Sequence, residues 1–166
     1  MNRYAITLGA ATVMVGALVA SAATAATIAR EGFTQASGAC QGALPNYEGS
    51  FRKRPLGMAN EGIAAAYATC SPHGVNPGVT DAVELVVTNR GGADVDVGCT
   101  LVDGLVDPVL FFADYYPQTV TAPSALDSTF VWDEAANFFL TSISCNVPAG
   151  VELNNIYVGF FDEIGV

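Results

Sequence analysis

The sequence predicts an all-β fold, an antiparallel β-sandwich of jelly-roll or immunoglobulin-like type, with about seven or eight strands. Three observations lead there. Apolar residues alternate with polar ones over short runs, turn residues separate those runs, and the four cysteines, enough for two disulfides, stand in a chain that begins like an exported one.

The alternation comes first. Val83, Leu85 and Val87 share one face, with Glu84 and Thr88 on the other. Val95, Val97, Cys99 and Leu101 alternate with Asp94, Asp96, Gly98 and Thr100. Phe130 and Trp132 form a third such face. Phe139, Thr141, Ile143, Cys145 and Val147 form a fourth, and Ile156, Val158 and Phe160 a fifth. A period of two is the mark of a strand with one face on a core and one in water. The stretch Met58–Tyr67 carries helix-forming alanines, but its run into Cys70 also suits a strand, the reading adopted.

Turn chemistry lies between the runs. Asn89-Arg90-Gly91-Gly92 reads as a hairpin with glycines at positive φ. Asp103-Gly104, Asn76-Pro77-Gly78, Ala122-Pro123-Ser124 and Pro148-Ala149-Gly150 read as further turns. The prolines are expected at strand ends, where no ladder N–H is lost. No internal repeat is expected.

The start of the chain has the three-part layout of a secretory signal peptide, assigned to residues 1–25. Arg3 is followed by an uncharged stretch from Tyr4 to Ala20, then by small residues with Ala-x-Ala choices ending at Ala22 or Ala25. A membrane anchor is the rival reading, but Ala, Gly, Ser and Thr dilute the stretch and no basic stop-transfer cluster follows. Residues 26–166 are then a single β-sandwich domain, long enough to bury a core. Cleavage removes Arg3 and no acid, leaving five basic and sixteen acidic residues, a net charge of −11. So acidic a surface excludes nucleic acid and anionic membranes as partners.

In an exported chain, Cys40, Cys70, Cys99 and Cys145 read as disulfides. The pairing Cys40–Cys70 and Cys99–Cys145 is preferred by position, although spacing alone leaves all three connectivities open. Cys99 and Cys145 occupy inward mid-strand positions. Cys40 lies in a loop-rich start and Cys70 at a strand end, where a bridge would pin the amino-terminal segment. Ser37-Gly38-Ala39-Cys40 only faintly matches a lipobox, because Arg30 and Glu31 separate it from the apolar run. Zinc is not expected, since there is no Cys-x-x-Cys and a single histidine.

Little in the sequence points to catalysis. His73 sits in Ser71-Pro72-His73-Gly74 with no Gly-x-Ser-x-Gly or unpaired cysteine to serve, so it reads as a loop residue and the protein as a non-enzyme. Gly91 to Val97 matches part of a calcium-binding β-roll repeat once, with Asp94 where glycine belongs, and one copy cannot build a roll. Asp94 and Asp96 therefore read as outward strand residues. No cofactor is expected; calcium, were it bound, would be held by carboxylates among Asp103, Asp107 and Asp114, or Asp162 and Glu163. Arg52-Lys53-Arg54 reads as a solvated loop before Pro55, with an anion or sulfated glycan as its functional alternative.

The segment Phe111-Phe112-Ala113-Asp114-Tyr115-Tyr116 is the candidate ligand platform. Adjacent aromatics in a strand place rings on both faces, so either Phe111 and Tyr115 or Phe112 and Tyr116 face solvent unless the strand is covered on both sides. Trp132 reads as core.

Ala39-Cys40-Gln41 near the start, Cys145-Asn146-Val147-Pro148-Ala149-Gly150 near the end, and an apolar strand running into acids at Glu163 together resemble small exported proteins of Gram-negative bacteria. The resemblance implies a periplasmic or extracellular location and this fold, and transfers no activity. The expected function is a non-catalytic exported domain that binds a ligand or joins a surface assembly, its partner a glycan or a surface protein. The alternative is a carbohydrate-binding module using Phe111, Phe112, Tyr115 and Tyr116. Thiol labelling of the mature chain under denaturing, non-reducing conditions is expected to modify no cysteine; two labelled positions would end the disulfide reading.

Overall fold

The alternating runs pair into two antiparallel sheets, of six and five strands, that face each other across one core. The computed structural model describes residues 26–72, 79–106, 111–133 and 138–164. The signal region, His73, the Asn76–Gly78 turn and Asp107 lie outside them, as does the side chain of Glu163.

The chain begins with β1 (Ala26–Gln35), the one-turn helix α1 (Ala36–Ala39), β2 (Cys40–Gly42) and the one-turn helix α2 (Pro45–Glu48). There follow β3 (Phe51–Arg54), β4 (Gly57–Asn60), β5 (Ala66–Cys70), β6 (Val79–Asn89) and β7 (Val95–Val106). The last strands are β8 (Phe111–Ala122), β9 (Asp127–Trp132), β10 (Thr141–Val147) and β11 (Val151–Ile164). One sheet runs β3-β4-β11-β6-β9, with β1 also paired to β11; the other runs β2-β5-β10-β7-β8. Only the links β3 to β4 and β7 to β8 stay within a sheet, so at every other link the chain crosses the core.

The inward faces are those the alternation marks. Val83, Leu85, Val87, Val97, Leu101, Phe130, Ile143 and Val147 are all fully buried. Each such side chain stabilises the fold by about 1.5–3 kcal/mol relative to exposure. In β11 a register shift between Leu153 and Ile156 lets both residues face inward although they are an odd number apart. Asp96 is exposed, as expected, and accepts a hydrogen bond from Thr121 Oγ1 at 2.8 Å.

Both disulfides form in the preferred pairing, Cys40–Cys70 and Cys99–Cys145. Each joins directly opposed residues of neighbouring strands, β2 with β5 and β7 with β10. Both therefore lie within the five-stranded sheet rather than between sheets. Cys40 and Cys70 are as thoroughly buried as Cys99 and Cys145, so the first bridge does more than pin an end.

Several local expectations are corrected. Asn89–Gly92 is not a hairpin: β6 and β7 belong to different sheets, and neither Gly91 nor Gly92 has positive φ. Asp103-Gly104 is not a turn but lies inside β7, where a Cβ on Gly104 would meet the Phe112 carbonyl at 2.7 Å. Pro117 lies inside β8, tolerated because β8 is a sheet edge and one side of its backbone needs no ladder partner. Arg52-Lys53-Arg54 forms β3 rather than a loop. Phe139 is not on the β10 face, since that strand starts at Thr141, and it is Phe138 that enters the core.

A repeat also emerges. Asn60-Glu61-Gly62-Ile63-Ala64 and Asn89-Arg90-Gly91-Gly92-Ala93 build the same corner. Each asparagine ends a strand of the six-stranded sheet and is fully buried. Asn60 Nδ2 donates to the carbonyls of Ala64 (2.9 Å) and Val147 (2.8 Å), while its Oδ1 accepts from the Gly62 N–H (2.9 Å). Asn89 Nδ2 donates to Ala93 (2.8 Å) and Ala122 (2.8 Å), and its Oδ1 accepts from the Gly91 N–H (2.8 Å). The carbonyls held are those of the last residues of β10 and β8, in the opposite sheet. Each is followed by proline, and two residues later by positive φ, Gly150 at 82° and Ala125 at 60°. The N–H groups of Gly150 and Ala125 return to the carbonyls of Asn60 and Asn89. Cys70 and Cys99 then stand at equivalent places further along the repeat.

Replacing Asn60 or Asn89 with alanine strands one buried carbonyl and two partly buried backbone groups at the corner, and should cost about 2–4 kcal/mol in urea unfolding. Alanine at the exposed Asn46 should stay within about 0.5 kcal/mol of wild type.

Candidate ligand cleft

Where the two sheets reach their shared side, β8 edges one and β9 edges the other. Three hydrogen bonds stitch these edges. Gln118 Nε2 donates to the Val131 carbonyl (2.7 Å), Trp132 Nε1 to the Tyr116 carbonyl (2.9 Å) and Ser128 Oγ to the Thr121 carbonyl (3.1 Å). Beside the first two a cavity of about 320 Å³ opens, lined by Tyr115, Tyr116, Pro117, Gln118, Trp132 and Phe138. That volume is at the small end of ligand sites. None of these six described side chains carries a charge.

All four residues of the expected platform fall in β8. Tyr116 is opposed to Leu101 in register and so faces the core, packing edge-on against Phe138 with centroids 5.4 Å apart. Phe112 shares that face and meets Phe139 at 6.4 Å. Phe111 and Tyr115 take the outer face, 74% and 65% exposed. Tyr115 and Tyr116 line the cavity, whereas Phe111 and Phe112 extend the aromatic surface beyond it.

The sequence reading missed the other wall. Phe138-Phe139-Leu140 crosses the end of the sandwich and is held by Asp103, a buried residue whose Oδ1 accepts from the N–H groups of Phe139 and Leu140, both at 2.8 Å. Phe138 also exchanges backbone hydrogen bonds with Thr80 in the opposite sheet. Phe138 is thereby buried, while Phe139 is left 76% exposed beside Phe112. The apolar run Phe138–Leu140 was visible in the sequence; its extension of the β10 alternation disguised it as strand. Trp132 is core, as expected, and also floors the cavity.

The remaining candidates are not gathered here. Asp103 is spent on backbone, Asp162 pairs with Arg30 at 2.8 Å, and Asp94 accepts from the Ser124 N–H at 2.9 Å. Among the described residues no group of three histidine, cysteine, aspartate or glutamate side chains could hold a metal ion. Arg52 and Arg54 both pair with Glu61. The hydrogen bond from Arg54 holds the Glu61 carboxyl below its ordinary value, and the guanidinium is raised in turn. Glu152, buried and unforeseen, pairs with Arg90. On the outer face of the six-stranded sheet, burial first and then Glu31 push the Tyr157 hydroxyl above its usual range.

The fold and cleft define a disulfide-braced β-sandwich with an aromatic edge. No protein-family model and no curated protein matches the sequence. Among solved structures it is similar to the CBM22-1 and GH10 modules of Clostridium thermocellum endo-1,4-beta-D-xylanase 10B complexed with xylohexaose. Identity there is 12% and the TM-score 0.40, over 66% of this chain and 22% of that one. It is also similar to the Podospora anserina GH26-CBM35 beta-(1,4)-mannanase, at 10% identity and a TM-score of 0.38, over 77% of this chain and 27% of that one. The chain thus spans about a quarter of the length of either. Among the described residues no helix is long and apolar enough to cross a membrane.

If Asp103 is the anchor of this wall, Asp103→Asn should speed amide hydrogen exchange at Phe139 and Leu140. Asparagine keeps a neutral Oδ1 acceptor, so the loss is the difference between charged and neutral bonds, about 1 kcal/mol, and the centre of β10 should stay protected.

Proposed function

We propose that the protein is an exported, non-catalytic binding domain that takes a neutral glycan at the aromatic edge of β8. The observation that carries this reading is the cavity bounded by Tyr115, Tyr116 and Trp132, with the exposed rings of Phe111 and Phe112 further along the same strand and Phe139 packed beside Phe112. A pyranose presents a flat C–H face to an aromatic ring and hydroxyls to the amide and phenol groups at its rim. Tyr and Trp suit that division, with an apolar body and a polar tip. A surface this rich in exposed apolar area calls for a ligand. The whole-chain net charge of −10 favours a neutral sugar over a sulfated or uronic one.

Two disulfides and the signal-like start support a periplasmic or extracellular setting. The resemblance to small exported proteins of Gram-negative bacteria agrees with that setting.

A panel of neutral and acidic polysaccharides in affinity electrophoresis tests the reading. At least one neutral polymer should retard the mature chain, calcium or not. Tyr115→Ala should weaken that binding roughly tenfold, the weight of one aromatic anchor, at an unchanged melting temperature. Equal retardation of wild type and Tyr115→Ala would remove β8 from the site.

A further inference from the structure

We infer that β1 is an exchangeable strand, through which one copy of the chain docks on β11 of a second copy. The inference is independent of glycan binding and rests on the opposite side of the molecule. β1 forms a ten-residue antiparallel ladder with β11, from Ala26 opposite Ile164 to Gln35 opposite Asn155, without a bulge. Yet no residue of β1 is buried and none belongs to the core cluster. Its inward positions are Thr34, Gly32 and Arg30, set beside Ile156, Val158 and Phe160. What joins β1 to the domain is therefore the ladder and a few side-chain contacts. Arg30 pairs with Asp162 at 2.8 Å, and the Phe33 ring lies 5.1 Å from that of Tyr157.

The junction after β1 has the form of a hinge. α1 is a single turn, Ala36-Ser37-Gly38-Ala39, with no side-chain cap and a glycine inside it. Such a turn has almost no helical stability of its own. Immediately beyond β1 the chain is clamped at both ends of that turn, since Ala36, its first residue, is fully buried and Cys40 is bridged to Cys70, so β1 pivots where Gln35 meets Ala36. β1 can leave while the sandwich, its core and both disulfides stay intact.

A strand that contributes no core but matches β11 along ten residues is as well satisfied in trans as in cis. Exchange of an identical element recovers every contact it breaks, so its thermodynamic cost is low. Short connections into the exchanged element promote it. The occupant is set by complementarity: the acid at Asp162 and the ring of Tyr157 on β11 fit the Arg30 and Phe33 of this strand. The other edge of β1 pairs with no strand among the described residues, so an exchanged pair keeps that template for further addition.

A charge-reversal pair tests this with the full mature chain. Arg30→Glu puts like charges on β1 and β11 of its own copy, and so does Asp162→Arg. Only when the two variants exchange β1 with each other do opposite charges meet at both ladders. Native mass spectrometry at low salt, after warming and slow cooling, should show concentration-dependent dimers of wild type. An equimolar mixture of the variants should give a heterodimer-to-homodimer ratio roughly tenfold above the statistical one, as expected for two restored ion pairs. Because neither residue is in the core, both variants are expected to fold, which far-UV spectra check. A mixture that stays monomeric would overturn the inference. So would homodimers and heterodimers in statistical proportion, which would place the contact away from this ladder.

Discussion

Two buried asparagine side chains hold the corners at which the chain leaves one sheet for the other, and the sandwich is registered from them. Asn60 and Asn89 each take an orphaned carbonyl at the end of a strand in the opposite sheet and one on their own corner. Backbone groups buried at such crossings have no ladder to join, and leaving them unpaired costs more than a typical hydrogen bond returns. A short side chain with two donors and an acceptor meets the need where aspartate, an acceptor only, could not. The residue after each asparagine is charged and turned outward into an ion pair, Glu61 with Arg52 and Arg54, Arg90 with Glu152.

The disulfides repeat the same logic one step along the chain. With β2 bonded to β5 and β10 to β7, the five-stranded sheet is covalently stapled at two of its junctions, while the six-stranded sheet has no bridge among the described residues. The closure of loops spanning 30 and 46 residues restricts the unfolded chain by similar amounts, so loop length does not rank the bridges. Both are packed in the core, and β8 lies next to a stapled strand. Its aromatic residues are thus displayed from a rigid support, the condition under which an exposed ring can bind without first being ordered.

The three longest exposed borders are treated differently. β9 and the lower part of β8 are closed by side-chain hydrogen bonds across the gap between sheets. The upper part of β8 is left open and aromatic. β1 is left open and mixed in character, with Arg30 drawn to Asp162 and Glu31 beside Tyr157. An unpaired backbone edge invites another strand, whereas exposed rings invite a flat apolar face, so the two open borders suit different partners.

The sequence by itself determined the inward faces of β6, β7 and β9 and of β10 from Ile143 onward, because a period of two is a local property, and its even cysteine count at an export-like start pointed to oxidised cysteines. Leu85, Val97, Phe130 and Ile143 could only be strand residues of one buried face. The segment Phe111–Tyr116 was legible as aromatic on both faces for the same reason. Which strands become neighbours was not legible. The Asn-x-Gly-x-Ala corners carry the residue types of a hairpin, and only the choice between pairing in one sheet and crossing to the other separates the two outcomes. That choice depends on the carbonyls of Val147 and Ala122, far away in the chain. The second wall of the cleft is likewise tertiary: Phe138 to Leu140 continue the alternation of β10, and it is the buried carboxylate of Asp103, a strand away, that lifts them off that face and closes the site.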